Sequence, residues 1–400
     1  MDLRVGILTF HSQSSYGGVL QAIALQNFLI QLGCDVKIID RWMMPKNGCL
    51  NGVLVARSFR TWFCFLVRAL FGFGDVRDLI RCLRTKNFIH RHLKLTDYCF
   101  YDWNEAPKDL GVDVIVVGSD QVWGRHFWDP HPYLMIGAPE IPAISYAASM
   151  GMHAIPSDLV PASKTGIPKF SAISVREREA GSLVAPYFSK RIQHVVDPTL
   201  LIDRSFWDRC ADRVERRIGS ESKKKLVCYL LHTELQECVK ALELFGHKKD
   251  CEVVFLSGSP CRLMPRELLP LLKACCLPIK MIFSSIRYRP MIMPDEFVSE
   301  IRSADWVITD SFHGLMFSLI YRKDVRILRP TSSMSANMSA RISEIVEDFI
   351  VGNPFACTIH TAVDSLCRGP SISYCTKEIE MRRLSSAEWL REALESALRE

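Results

Sequence analysis

Two kinds of apolar run alternate along this chain. The first is short and continuous: LRVGIL (3–8), CDVKIID (34–40), VDVIVV (112–117), AISYAAS (143–149), SAISVRE (171–177) and QHVVDPTLL (193–201). Runs of this kind, closed by turn residues, mark strands buried on both faces of a parallel sheet. The second is longer and spaced at three and four residues, as in VLQAIALQNFLIQLG (19–33), whose glycine acts as a helix stop. Residues 3–40 therefore read as strand, loop, helix and strand, the opening of a parallel sheet.

The alternation restarts in the second half. KLVCYLLH (225–232) and CEVVFLS (251–257) read as strands, with ELQECVKALELFG (234–246) as a helix between them. ADWVITDSFHGLMFSLIY (304–321) reads as strand, loop and helix, and DVRILRP (324–330) as a further strand. SSAEWLREALESALRE (385–400) has the pattern of an amphipathic helix that starts at Ser386, with Trp389 and Leu390 behind the cap. The predicted fold class is α/β, with two Rossmann-like domains over 1–205 and 206–375 facing across a cleft. The junction falls in the polar stretch 203–223. A C-terminal helix within 376–400 is expected to pack back on the first domain. Ligands of such sheets sit at the carboxyl ends of strands.

Composition adds exclusions. With 48% hydrophobic and 24% charged residues, the chain can build large cores. Its 15 cysteines are scattered, and no C-x-x-C pair occurs, which argues against a disulfide framework and a zinc site. Neither a signal peptide nor a long uncharged apolar run is visible, so a cytoplasmic location is expected. Charge is uneven. Between Arg57 and Lys94, nine Lys/Arg stand against Asp75 and Asp78, a local +7 beside +6 for the whole chain. This segment lies in a helical, aromatic and basic insertion at about 50–95. Residues 53–94 suit either a helix in a lipid headgroup layer at the inner face of the membrane or an insertion packed on the protein's own core. No nucleic-acid-binding fold accompanies the charge, and no oligomeric state is implied.

Candidate chemistry clusters where strands end. Thr309-Asp310-Ser311-Phe312-His313-Gly314 carries a buried strand into a helix start. Helix N-termini attract anions, a histidine there can donate or accept a proton, and Gly314 lets a ligand approach the backbone. The alternative is an Asp/Ser cap with an incidental histidine. Gly118-Ser119-Asp120-Gln121 also ends a strand; Asp120 either orients a sugar hydroxyl or satisfies a turn. Arg176, in SVRE, either clamps a carboxylate or phosphate or pairs with Glu177 at the surface. Ser15, Tyr16 and Gly17 lie in a Gly-containing loop suited to anions, but the loop matches neither dinucleotide nor nucleoside-triphosphate motifs.

SSYGGVLQAIALQNFL, VIVVGSDQVW, ISYAASMG, ISVRE, VVDPTLL, VITDSFHGLMFSLI and MSARISEI occur in this order from the first strand to about residue 346. In this the chain resembles the polysaccharide pyruvyl transferase family. The resemblance implies a glycosyltransferase-B-like fold, phosphoenolpyruvate as donor and a sugar hydroxyl pair as acceptor, on a surface polysaccharide or its lipid-linked precursor. No metal or further cofactor is demanded. Carried over position by position, His313 is the general acid, and Arg176 and Arg341 bind the donor. Some members carry Arg two residues before the histidine, where this chain has Ser311; the missing cation must then come from Arg341, Arg287 or Arg289. Asp120 or Asp310 would polarise the acceptor hydroxyl, and Ser15, Tyr16, Gly17, Gly118, Ser119, Gln121, Ser311 and Gly314 would line the substrates. The alternatives are a sugar-nucleotide glycosyltransferase of the same fold and a non-catalytic polysaccharide-assembly protein.

Overall fold

The computed structural model describes residues 3–11, 16–41, 49–50, 53–54, 73–124, 129–218, 223–231, 235–257, 285–289, 292–329, 333–370 and 372–399. Ser15 and residues 55–72 of the basic insertion, with Arg57, Arg60 and Trp62, lie outside them. The chain divides into two units. The first holds 1–55, 85–203 and 376–400, and the second holds 56–84 and 204–375. Each is a parallel sheet flanked by helices.

The first sheet runs Leu95–Phe100, Asp35–Arg41, Arg4–Leu8, Val114–Val117, Ala143–Ala148, Phe170–Val175, Ile192–His194. In chain order this is 3-2-1-4-5-6-7. The second runs Ile286–Arg289, Glu252–Ser257, Lys225–Leu230, Trp306–Thr309, Asp324–Leu328, Phe355–Ala356, or 3-2-1-4-5-6. Every pairing in both sheets is parallel. Both orders are Rossmann orders. In each, the crossover direction reverses between the first and fourth strands, which opens a crevice at their carboxyl ends. Burial explains the continuous apolar runs: Val114, Ile115, Val116 and Val117 are all fully enclosed, as are Val227 and Cys228 in the second sheet.

Two boundaries differ from the sequence reading. The final helix spans Thr376–Ala397, so Ser386 lies in its interior rather than at its cap. The Ser386 hydroxyl donates to Arg382 O at 2.6 Å and accepts from Val196 N at 3.0 Å, so it bonds its own preceding turn and the first unit. This helix packs on the strands Ala143–Ala148 and Phe170–Val175. The stretch 203–223 is no bare junction: Arg204–Ile218 is a helix that buries Trp207, Ala211 and Val214 and packs on the helix Pro294–Ser303. Its charge belongs to the exposed face. Of the insertion, Phe73–His92 is helical and ends by burying Phe88 and Ile89. Among the described residues, no helix is long and apolar enough to cross a membrane.

Candidate functional site

The DSFHG and GSDQ clusters fall at the switch points of their own sheets, whereas the SVRE cluster ends the sixth strand of the first sheet. In the second unit, the strand Trp306–Thr309 runs into the helix Phe312–Ile320. Ser311 is the N-cap; its side chain accepts from Gly314 N. The Thr309 hydroxyl donates to Tyr229 O at 2.8 Å and accepts from Ser311 N at 3.0 Å, tying the fourth strand to the first. Asp310 Oδ1 accepts from Leu231 N at 2.7 Å across the same two strands. Asp310, Ser311, His313 and Arg341 are all buried.

This turn places His313 in the first helical turn, where N–H groups point along the axis and favour anions. Its ring meets Phe312 edge-on at 5.2 Å. The Arg341 guanidinium, from the helix Ser333–Phe349, lies 6.0 Å from the Phe312 ring centroid. A proton carrier at a helix N-terminus and a cation from a second helix are therefore both neighbours of Phe312. Gly314 makes the turn possible: a Cβ there would lie 2.2 Å from Thr309 Oγ1. Gly314→Ala is expected to displace that hydroxyl and both its hydrogen bonds. The cost should be at the upper end of the usual overpacking range of about 1–3 kcal/mol, read by urea unfolding. A variant as stable as the parent would show that the turn tolerates the shift.

In the first unit, Gly118-Ser119-Asp120-Gln121 follows the fourth strand. Gly118 sits against Thr9, where a Cβ would be 2.8 Å from the threonine Cβ. The Thr9 hydroxyl donates to Ser119 O at 2.9 Å. Asp120 has φ 76, a left-handed conformation that aspartate tolerates better than most residues, and its carboxylate accepts from Gln121 N at 2.9 Å. The Gln121 side chain packs on Gly151. Tyr16 and Gly17 open the helix Tyr16–Gln31 and are buried.

Arg176 is where the structure departs most from the sequence reading. Its side chain is 2% exposed and lies 3.2 Å from Asp197, 3.6 Å from Asp120 and 3.8 Å from Glu177. Burial works against the guanidinium's charge, but Asp120, Asp197 and Glu177 outweigh it and hold its pKa above the ordinary value. Two of the carboxylates take further donors, although Glu177 Oε2 is buried without a hydrogen bond. Glu177 accepts from Ser149 Oγ at 2.7 Å and Met150 N at 3.1 Å; Asp197 accepts from Ser119 Oγ at 3.2 Å and Thr199 Oγ1 at 2.7 Å. One cation against three carboxylates leaves the cluster negative, a poor receptor for an anionic donor. Arg176 instead joins the ends of strands and steadies Asp120.

Arg287 and Arg289 do not reach the His313 turn. They lie on the edge strand Ile286–Arg289, three strand positions from Trp306–Thr309, or about 14 Å at the usual spacing. Arg287 pairs with Glu252 at 2.9 Å, and Arg289 with Glu296 at 3.2 Å and also with Glu300. Of the candidate cations, Arg341 is the one brought to the turn. Asp310 is spent on the Leu231 N–H, whereas the Asp120 side chain keeps 19% exposure. Sequence reasoning passed over Asp197, although Asp197-Pro198 is a recognisable cap-and-first-turn signal.

A family model described as polysaccharide pyruvyl transferase matches residues 16–332. No curated protein matches the sequence. Among solved structures, the UDP-GlcNAc 2-epimerase of Methanocaldococcus jannaschii is similar at TM-score 0.52 and 13% identity, over 92% of each chain. The UDP-GlcNAc 2-epimerase of Neisseria meningitidis, bound to UDP-GlcNAc, is similar at TM-score 0.51 and 10% identity, over 98% of this chain and 99% of that one. At such identities the likeness concerns fold alone, and the fold is glycosyltransferase-B-like.

Proposed function

The chain belongs to the polysaccharide pyruvyl transferase family, and on that premise we propose that it transfers pyruvate from phosphoenolpyruvate to two hydroxyls of one sugar, closing a cyclic ketal on a surface polysaccharide or its lipid-linked precursor. The observation that carries this reading is the buried His313 in the first turn of Phe312–Ile320, with Arg341 against its neighbour Phe312.

The chemistry asks for those groups. A proton added to the methylene carbon of phosphoenolpyruvate turns it into a methyl group and leaves an oxocarbenium-like centre at the adjacent carbon. The first sugar hydroxyl attacks that centre and gives up its proton. Phosphate then departs, and the second hydroxyl closes the ring. His313 supplies the first proton. Arg341 and the helix N-terminus hold the carboxylate and phosphate and stabilise their charge. Asp120 is the carboxylate suited to accept a sugar proton, since Asp310 is already committed.

Phosphate release from phosphoenolpyruvate, measured over lipid-linked and nitrophenyl galactosides and mannosides, tests the proposal. Phosphate and ketal should appear together. Nucleotide release from a sugar nucleotide, with phosphoenolpyruvate untouched, would overturn it. Within the same assay, Arg341→Ala should raise the KM for phosphoenolpyruvate by roughly 10–100-fold, the size of one lost bond to a charged group. The acceptor KM should hardly move. An effect confined to the acceptor would take Arg341 out of the donor site.

A further inference from the structure

The helix Phe73–His92 is two-faced where it ends. Thr85, Phe88, Ile89 and, just beyond it, Leu93 are buried. Gln26, of the helix Tyr16–Gln31, fastens that side: its Nε2 donates to His92 O at 2.9 Å, and its Oε1 accepts from Lys94 N at 2.7 Å. The His92 ring stacks on Phe88 at 4.0 Å. The opposite face is exposed and carries Leu83, Arg84, Lys86, His90 and Arg91, with Lys94 following the last turn.

Two ordinary uses of surface charge do not account for this face. Cations complement a helix dipole only within the last turn, and Arg84 and Lys86 stand before it. A merely solvated helix intersperses both signs at three and four residues, but no acid occurs between Asp78 and Asp97. Arg84 reaches Glu296 at 3.5 Å, so Lys86, Arg91 and Lys94 carry the argument. Lys86 and Arg91 are five residues apart, about 8 Å along a helix, which is within one Debye length at physiological salt. Their charges therefore act on the same few partner groups.

Leu83 points to the class of partner. It is 54% exposed among the cations. In a lipid headgroup layer the apolar group enters the acyl boundary while the cations meet phosphates; against nucleic acid the leucine would gain little. Residues 53–72, which lie outside the described residues, have a sequence of the same kind: Arg57, Arg60 and Arg68 among Trp62, Phe63 and Phe65, again without an acid. We propose that the exposed face of this helix end, Lys86, Arg91 and Lys94 with Leu83, is a peripheral contact for an anionic phospholipid surface. The proposal does not depend on the pyruvyl-transfer reading, and its test needs no turnover.

Flotation of the full chain with phosphatidylcholine vesicles, with and without phosphatidylglycerol, provides that test. The chain should float with the anionic vesicles at low salt and stay behind with the neutral ones. It should be released as salt approaches about 1 M, where the Debye length falls to about 3 Å. Each cation near an anionic surface is worth roughly fivefold in partitioning, so Lys86→Gln, Arg91→Gln and Lys94→Gln combined should weaken binding by about 100-fold. The unfolding midpoint should stay at the parent's value, since all three side chains are exposed. Lys164→Gln, Lys190→Gln and Lys248→Gln combined remove the same charge from exposed positions elsewhere and should float like the parent. A parent that stays in the soluble fraction at low salt would overturn the contact. So would equal flotation on neutral vesicles, or parental flotation of the Lys86, Arg91 and Lys94 variant. An equal loss in the control variant would make net charge alone responsible and overturn it too. Tighter binding to duplex DNA than to anionic vesicles, lost in the same variant, would give the face to nucleic acid instead.

Discussion

Replacing His313 by alanine is expected to lower turnover by about 10²–10⁴-fold, the usual contribution of a general acid, while the protein stays folded. The fold should survive because the turn does not depend on the ring. Ser311 caps the helix, Thr309 and Asp310 tie it to the neighbouring strand, and the apolar residues Leu315, Met316 and Phe317 anchor it from below. Phosphate release under saturating phosphoenolpyruvate and acceptor, paired with a thermal melt, separates chemistry from folding. The loss should fall on kcat, because the proton is given in the transition state rather than on binding. A folded His313→Ala protein with parental kcat would remove the histidine from the mechanism.

Arg176→Met should produce the largest loss of stability. The arginine is the sole cation described among Asp120, Glu177 and Asp197, and the last two carboxylates are buried beside it. Removing one partner of a buried ionic group typically costs about 3–5 kcal/mol, because the remaining charges are left uncompensated in a medium that solvates them poorly. Urea unfolding near neutral pH measures this. The sign with pH follows. In the variant, orphaned carboxylates favour their protonated form in the folded state more than in the unfolded one. The deficit should therefore shrink in acid and widen as the pH rises towards neutrality. A donor-binding arginine would behave otherwise: the variant would unfold like the parent and lose affinity for phosphoenolpyruvate. That result would refute the structural role.

The strands were legible because a parallel sheet covered on both faces must be apolar at consecutive positions, and those runs stand out from everything around them. The DSFHG turn was legible for a related reason. An uncharged strand followed at once by Asp, Ser and Gly has few conformations open to it besides a capped strand-to-helix passage. Ser386 misled because a serine ahead of Trp389 and Leu390 looks like a cap, whereas the hydroxyl can equally bond the turn behind it. Only the neighbouring Val196 N–H shows which. The charged stretch 203–223 misled because the helical spacing of Trp207, Ala211 and Val214, four residues and then three, is diluted by the arginines and acids of the solvent face.

Local order along the chain thus determined what kind of elements form, which loops end strands, and which of those loops carry a histidine, a carboxylate or a glycine. It did so because burial, capping and backbone sterics act between residues a few positions apart. Tertiary structure alone decided which charges meet. Arg176, Asp120 and Asp197 are brought together from three strand ends; Arg41 is brought over Tyr133; Arg341 is brought to Phe312; Arg287 is drawn off to Glu252. A guanidinium takes its role from whatever stands within a few ångströms of it. In a sheet whose strand order is 3-2-1-4, those neighbours come from sequence positions far apart, where no local pattern records them.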